Sequence, residues 1–302
     1  MFNKVKRYLR DPYYALGYDL IKSHPHWMSD KYYLSVLWKM KMGYELDWKH
    51  PKTFNEKLQW LKLYDRKPEY TLLVDKYRVK QWVADRIGEQ YVIPTLAVYN
   101  LVEEIDLDKL PNQFVLKCNH DSGSVVICRD KSEFNLSAAK QKLGSAMKNN
   151  FYSVAREWPY KGVEPCVFAE QFIQDDDGGG LIDYKFFCFN GDPDCVMVCL
   201  DRYLGQPKFY FFDKNWRLKR LNYRGKMAAA DFSLPIPSNL DKMFELAAVL
   251  SKGIPFVRVD FYDVSGCVMF GEMTFFPEGG FDNQILPEAD LYFGNNLAIV
   301  NH

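Results

Sequence analysis

The chain has 302 residues, 48% apolar and 16% aromatic, which excludes a disordered protein and supplies enough material for a sizeable core. Lysine plus arginine number 39, as do aspartate plus glutamate, so the formal net charge is zero and no broad nucleic-acid footprint is expected. The seven cysteines form no CxxC pair and lie mostly in apolar, strand-like runs, which suits small buried hydrophobes in a reducing compartment rather than disulfides or zinc sites.

No signal-peptide core and no run of transmembrane length stands out, so a soluble cytoplasmic protein is expected. Residues 1 to about 70 read as helical. Asp11 and Pro12 suit an N-cap and a first helical position. Ahead of them, Lys4, Lys6, Arg7 and Arg10 are interleaved with Phe2, Val5 and Leu9. This basic amphipathic start suits peripheral contact with the inner membrane surface, although packing on the body is the commoner outcome. His24-Pro-His26 lacks a third metal ligand and reads as surface. Thr53-Phe-Asn-Glu56 is a capping box ahead of an apolar helix. Asp75 is expected to cap the next helix, with Val79, Trp82, Val83 and Ile87 on its buried stripe and Gly88 at its end.

From Tyr91 the hydrophobic period changes. Strands are expected at Phe114–Cys118 and Val125–Cys128, around the loop Asn119-His-Asp-Ser-Gly-Ser124, followed by a helix near 137–148. Further strands are expected near 166–173, 183–190, 194–201 and 208–213. Asp175-Asp-Asp-Gly-Gly-Gly180 reads as a solvated flexible loop rather than a calcium loop. Ser238 is expected to cap a helix ending at Gly253, before two last strands, 256–262 and 267–274. Strand runs interspersed with helices indicate an α+β protein with antiparallel sheets.

The last hairpin carries the most chemistry. Arg258 and Asp260 are two apart and share one strand face, as do Glu272 and Thr274. Charges inside apolar strands are costly unless they are paired or bind metal. A three-residue turn, Val264-Ser265-Gly266, is expected to pair Asp260 with Phe270 and Arg258 with Glu272, making the carboxylates diagonal neighbours. Such a pair suits magnesium, and equally a plain Arg258–Glu272 salt bridge. Lys117 enters the small-residue loop bearing His120, Ser122, Gly123 and Ser124, a pattern suited to phosphate but also found on edge strands. Lys76, at a helix start, can reach a phosphate or remain solvated. Glu170 and the following Gln171 and Ile173 could present a hinge to an adenine ring, with Asp183 near ribose hydroxyls.

In sequence order, Asp75-Lys76, Lys117 with its loop, Glu170, Asp183, Lys185, Arg258-x-Asp260 and Glu272-x-Thr274 resemble the motifs of the ATP-grasp superfamily. The stretches 51–60, 183–191, 257–262 and 270–274 resemble more closely the TupA-like, teichuronopeptide-type ATP-grasp proteins of surface-polysaccharide biosynthesis. The resemblance implies an ATP-grasp fold with a pre-lid segment at 71–110, a lid at 111–168 and a core at 169–302, while the helical region read at 1–70 stands where many relatives have an α/β pre-domain. It implies that Lys76, Lys117 and loop 119–124 hold the ATP phosphates, that the hinge takes adenine, and that Lys185 and Arg258 act on the transferred phosphoryl group. It assigns Mg²⁺ to Asp260, Glu272 and Thr274, with threonine standing where many relatives have asparagine. The implied reaction joins an amine to a carboxylate, such as a uronic acid, through an acyl phosphate. A sugar kinase on the same site, a glycosyltransferase and a non-catalytic binding protein are the competing readings.

Overall fold

The computed structural model describes residues 12–23, 25, 27–174 and 180–299. The basic start, Asp11, His24, His26 and loop residues 175–179 lie outside the described residues. Among those described, no helix is long and apolar enough to cross a membrane.

Helices α1 (Pro12–Ser23) and α2 (Asp30–Met42) pack around Leu20, Tyr33, Leu37 and Trp38. Helix α3 (Phe54–Tyr64) begins with the expected capping box: Thr53 accepts from the Glu56 amide, and Glu56 accepts from the Thr53 amide. Helices α4 (Glu69–Val74) and α5 (Val79–Ile87) follow. Asp75 Oδ1 accepts from the amides of Tyr77 and Arg78, at 3.0 and 2.9 Å, so it caps the turn entering α5. Gly88 ends α5, and Val79 and Val83 are buried.

A small antiparallel sheet is built from β1 (Thr95–Tyr99), β2 (Phe114–Cys118), β3 (Val126–Cys128) and β4 (Val167–Gln171), in the order β1-β4-β2-β3. Helix α6 (Leu136–Met147) covers it, burying Leu143 against Phe114 and Leu116, and α7 (Phe151–Ala155) leads away. Strand β1 was not anticipated, although Leu96-Ala-Val-Tyr99 is a continuous apolar run.

The large sheet contains β5 (Asp183–Phe189), β6 (Asp192–Leu200), β7 (Lys208–Phe212), β8 (Leu218–Lys219), β9 (Phe256–Val264) and β10 (Cys267–Thr274). Its order is β10-β9-β5-β6-β7-β8, with every pair antiparallel. Helices α8 (Tyr223–Met227), α9 (Leu240–Ser251) and α10 (Pro287–Asn296) complete the chain. Ser238 does not cap α9 as expected. Asn239 holds the cap position without a side-chain cap, because the Ser238 hydroxyl turns to the Asp263 carboxylate at 3.3 Å.

The core is strongly aromatic. Phe54 of α3 sits edge-on to Phe256 and Phe293, with ring centres 4.7 and 5.6 Å away. Around it, α3 grips the C-terminal segment with polar side chains. Asn55 exchanges two hydrogen bonds with the Asp282 backbone, and Lys57 donates to the carbonyls of Gly294 and Leu297. Gln59 donates to Gly280 at 2.6 Å and Lys62 to Gly279 at 2.6 Å.

Candidate active site

Register puts the expected charges on one face of the large sheet. Strand β5 sets Asp183 opposite Tyr262 and Lys185 opposite Asp260. The β9–β10 turn differs from the expected three-residue turn. Val264 pairs with Cys267 around a two-residue turn, Ser265-Gly266, in which both φ angles are positive, as the twist of a tight hairpin favours. Continued unbroken, that register would bring Glu272 opposite Val259, on the core face. A bulge intervenes: Phe270 pairs with Phe261, and the next pair is Glu272 with Asp260. The expected pairs Asp260–Phe270 and Arg258–Glu272 are therefore replaced by Asp260–Glu272 and Arg258–Thr274. Gly271 is the extra residue, and a Cβ there would lie 3.2 Å from the Asp260 carbonyl oxygen and from the Tyr262 ring.

The two carboxylates share cations. Arg258 binds Asp260 with two nitrogens, each at 2.7 Å, and reaches Glu272 at 3.1 Å with one of them. That nitrogen also donates to the Thr274 hydroxyl, which lies 3.3 Å from Glu272. Lys185 contacts Asp260 and Asp183, while Lys76 stands 3.3 Å from the other Glu272 oxygen. Burial opposes charge on Glu272, but Lys76, Arg258 and Lys185 together outweigh it and hold the carboxyl below its usual range.

Lys76 also donates to the Asp121 carbonyl at 2.7 Å, tying the small-residue loop to the carboxylate pair. Ser124 bonds the Asp121 carboxylate, and Gly123 adopts φ +106°. Asp121, Ser122, Gly123 and Ser124 line one cavity together with Lys76, Lys117, Glu170, Asp183, Asp260 and Glu272. His120 is buried instead, with Nε2 3.1 Å from the Asn149 carbonyl. Asn119, which the sequence did not single out, fixes the loop. It donates to Asp75 at 2.8 Å and accepts from the Cys166 amide at 2.9 Å.

Glu170 lies buried between Lys117 and Lys80. Burial raises its carboxyl and the two lysines more than offset that, leaving the net shift downward. Lys80 went unread because its partner Glu170 lies far along the chain. Gln171 is exposed, and Ile173 is half-buried in the connection leaving β4. Arg202, also unread, binds Asp183 at 3.1 Å.

A second cavity of about 440 Å³, within the range of small-molecule sites, adjoins the first. Lys76, Ser122, Arg202 and Glu272 line both. Lys185, Arg258 and Thr274 line its near side, with Glu157, Tyr160, Phe276, Glu278 and Asp282 elsewhere on the wall. Asp260 and Glu272 are suitably placed for magnesium, which prefers one or two carboxylates plus nucleotide phosphates to an all-protein cage. Among the described residues no larger acidic or histidine cluster forms.

Comparison with curated proteins gives no match. Solved structures that resemble the chain include a D-alanine–D-alanine ligase from Helicobacter pylori, at 18% identity and TM-score 0.49, covering 81% of this chain and 68% of that one. A D-alanine–D-alanine ligase from Bacillus anthracis complexed with ATP gives 15% identity, TM-score 0.42 and coverage of 74% and 60%. D-cycloserine synthetase DcsG gives 16%, TM-score 0.42 and coverage of 76% and 71%. The chain thus spans 60–71% of the length of these three proteins. The TupA-like ATP-grasp family matches residues 56–298, most of the chain and every site residue described above. The chain belongs to the TupA-like ATP-grasp family.

Proposed function

We propose that the protein is an ATP-dependent carboxylate–amine ligase that works through an acyl phosphate. The observation that carries this reading is the facing pair Asp260 and Glu272, set among Lys76, Lys185 and Arg258 where the two cavities meet. One cavity gathers Lys76, Lys117 and Arg202 beside these carboxylates, and the other adjoins it where an acceptor would need to stand.

In this reading Lys76, Lys117 and loop 119–124 hold the phosphates, and residues 111–168 act as a lid. Glu170, with Gln171 and Ile173, presents the adenine subsite, and Asp183 takes the ribose. Asp260, Glu272 and Thr274 would hold Mg²⁺, which neutralises charge on the phosphates when bound. Lys185 and Arg258 orient the γ-phosphoryl group and the acceptor carboxylate and stabilise the charge that builds as phosphate transfers. A carboxylate resists attack by an amine until phosphate replaces its oxide as the leaving group. An amine then attacks the carbonyl carbon and expels phosphate.

The family resemblance supports a uronic acid, or a similar carboxylate of a surface-polysaccharide precursor, as acceptor. A cytoplasmic enzyme working near the inner membrane surface fits that setting. The test is to incubate the protein with MgATP, uronic acids and amines and to identify the products. The ligase should yield ADP, free phosphate and an amide, and hydroxylamine should trap a hydroxamate. ADP with a stable sugar phosphate and no free phosphate would instead establish a kinase.

A further inference from the structure

Glu157 follows α7 at the wall of the acceptor cavity, with only 6% of its surface exposed. Its carboxylate makes no hydrogen bond or ion pair with any described residue. A buried carboxylate without a hydrogen-bond donor is costly, and this one stands on a cavity wall where a donor from outside can reach it.

Lys62 and Lys41 attract the carboxylate but donate no hydrogen bond to it. Lys62 is fully buried nearby, but its three donors go to Gln59 Oε1 at 3.0 Å, the Ala155 carbonyl at 2.8 Å and the Gly279 carbonyl at 2.6 Å. The Lys41 ammonium lies over the Phe281 ring, 4.5 Å from its centre. Gly279 has φ +63°, and a Cβ there would stand 3.1 Å from the Ala155 Cβ and 3.6 Å from Glu157 Oε1. The left-handed turn therefore passes close behind the carboxylate without capping it.

Both signs of charge line the cavity: Lys185 and Arg258 stand beside Asp260 and Glu272, and Glu157, Glu278 and Asp282 share the wall with Lys41. An acceptor carboxylate is drawn to the first set and an ammonium to the second.

We propose that Glu157 binds the amine co-substrate as its ammonium ion and takes the proton that the nitrogen must lose before it attacks. The inference rests on the ligase reading and deepens it by assigning the nucleophile's subsite. One N–H bond of the ammonium breaks, its proton passes to the Glu157 carboxylate, and the nitrogen regains its lone pair. That pair forms the N–C bond to the acyl phosphate, the C–O bond to phosphate breaks, and the nitrogen's surplus proton leaves with the phosphate. Burial raises the Glu157 carboxyl, against the pull of Lys62 and Lys41 and with a further push from Glu278, the direction that suits a base near neutrality.

The test compares wild type with Glu157→Gln, which keeps the shape and removes the charge. Calorimetric titration with ethanolamine should show binding weakened about tenfold or more in the variant, the scale of a charge-assisted hydrogen bond. Ethylene glycol, lacking the ammonium, should not distinguish the two proteins. With glucuronic acid and MgATP, amide formation from ethanolamine should fall by about a hundredfold or more, the scale of a lost general base. Hydroxylamine is uncharged near neutrality, so hydroxamate formation should survive. Glu157→Asp, which retains the charge, should keep ethanolamine binding even if Glu157→Gln folds poorly. Equal ethanolamine affinity in wild type and Glu157→Gln, or equal loss of amide and hydroxamate, would overturn the assignment. Charge-dependent ethanolamine binding in a protein that makes no hydroxamate from any uronic acid would sink the ligase reading and leave the amine site standing.

Discussion

Asp260 and Glu272 face each other directly across the β9–β10 hairpin, and the single extra residue that sets this register is Gly271. The tight space at Gly271 makes the pair sensitive to one side chain. Gly271→Val should push against the Asp260 backbone and the Tyr262 ring, costing about 1–3 kcal/mol as overpacked sites do. Denaturant unfolding should detect that loss, and ATP turnover should fall far more than the remaining folded fraction explains. Wild-type turnover in a folded Gly271→Val protein would refute a role for the bulge in positioning the carboxylates.

The phosphate assignment can be measured by binding. Lys117→Ala removes a cation from the nucleotide cavity and leaves Glu170 with Lys80 alone. ATP affinity should drop by about 1–3 kcal/mol, the scale of a charge-assisted contact plus the charge left behind. Lys76→Ala should act in the same direction. Unchanged calorimetric affinity in both variants would remove these lysines from the site.

Glu272→Gln keeps the hairpin's shape but removes a ligand charge. Turnover should fall on the order of a thousandfold, while the variant still folds at neutral pH with a lowered thermal unfolding midpoint. The carboxyl's folded pKa lies below its ordinary value of 4.5, so the stability it contributes is complete above that value. It is lost as pH falls through the folded value. Acid titration of wild type should therefore show a decline below about pH 4.5 that is shallower in Glu272→Gln. Identical acid profiles would mean that the surrounding cations do not stabilise the ionised form.

Asn55 offers a test of the acceptor wall. Asn55→Ala leaves the Asp282 amide and carbonyl without their partners and should cost about 1–3 kcal/mol of stability. The acceptor KM should rise while ATP affinity holds, because the loss is on the second cavity. A matching loss of ATP affinity would show that the two cavities do not separate in this way.

Much of this site was legible in the sequence because strand periodicity fixes which residues share a face. Arg258 with Asp260, and Glu272 with Thr274, could be assigned to faces from spacing alone. How the two faces meet could not, because a two-residue turn plus a bulge and a three-residue turn without one both return polar residues to one side. The capping box at Thr53 was local and therefore readable. The partners of Asn55, Gln59 and Lys62 lie far along the chain, and nothing in the helix's own pattern names them. Lys80, Asn119, Glu157 and Arg202 escaped for a related reason: each acquires its meaning from a neighbour that only the fold supplies.

The grip of α3 on the last segment also bears on when the second cavity can form. Lys62 and Gly279 are separated by 217 residues, and Lys57 and Leu297 by 240. Closing loops of that length carries a large entropic cost before any contact repays it, so such contacts tend to form late. During synthesis α3 leaves the ribosome early, with Asn55, Gln59 and Lys62 waiting for partners not yet made. The hairpin that bears Asp260 and Glu272 needs only its own few residues. The carboxylate pair should thus assemble ahead of the wall of the second cavity, which makes that wall a late and conditional part of the native state.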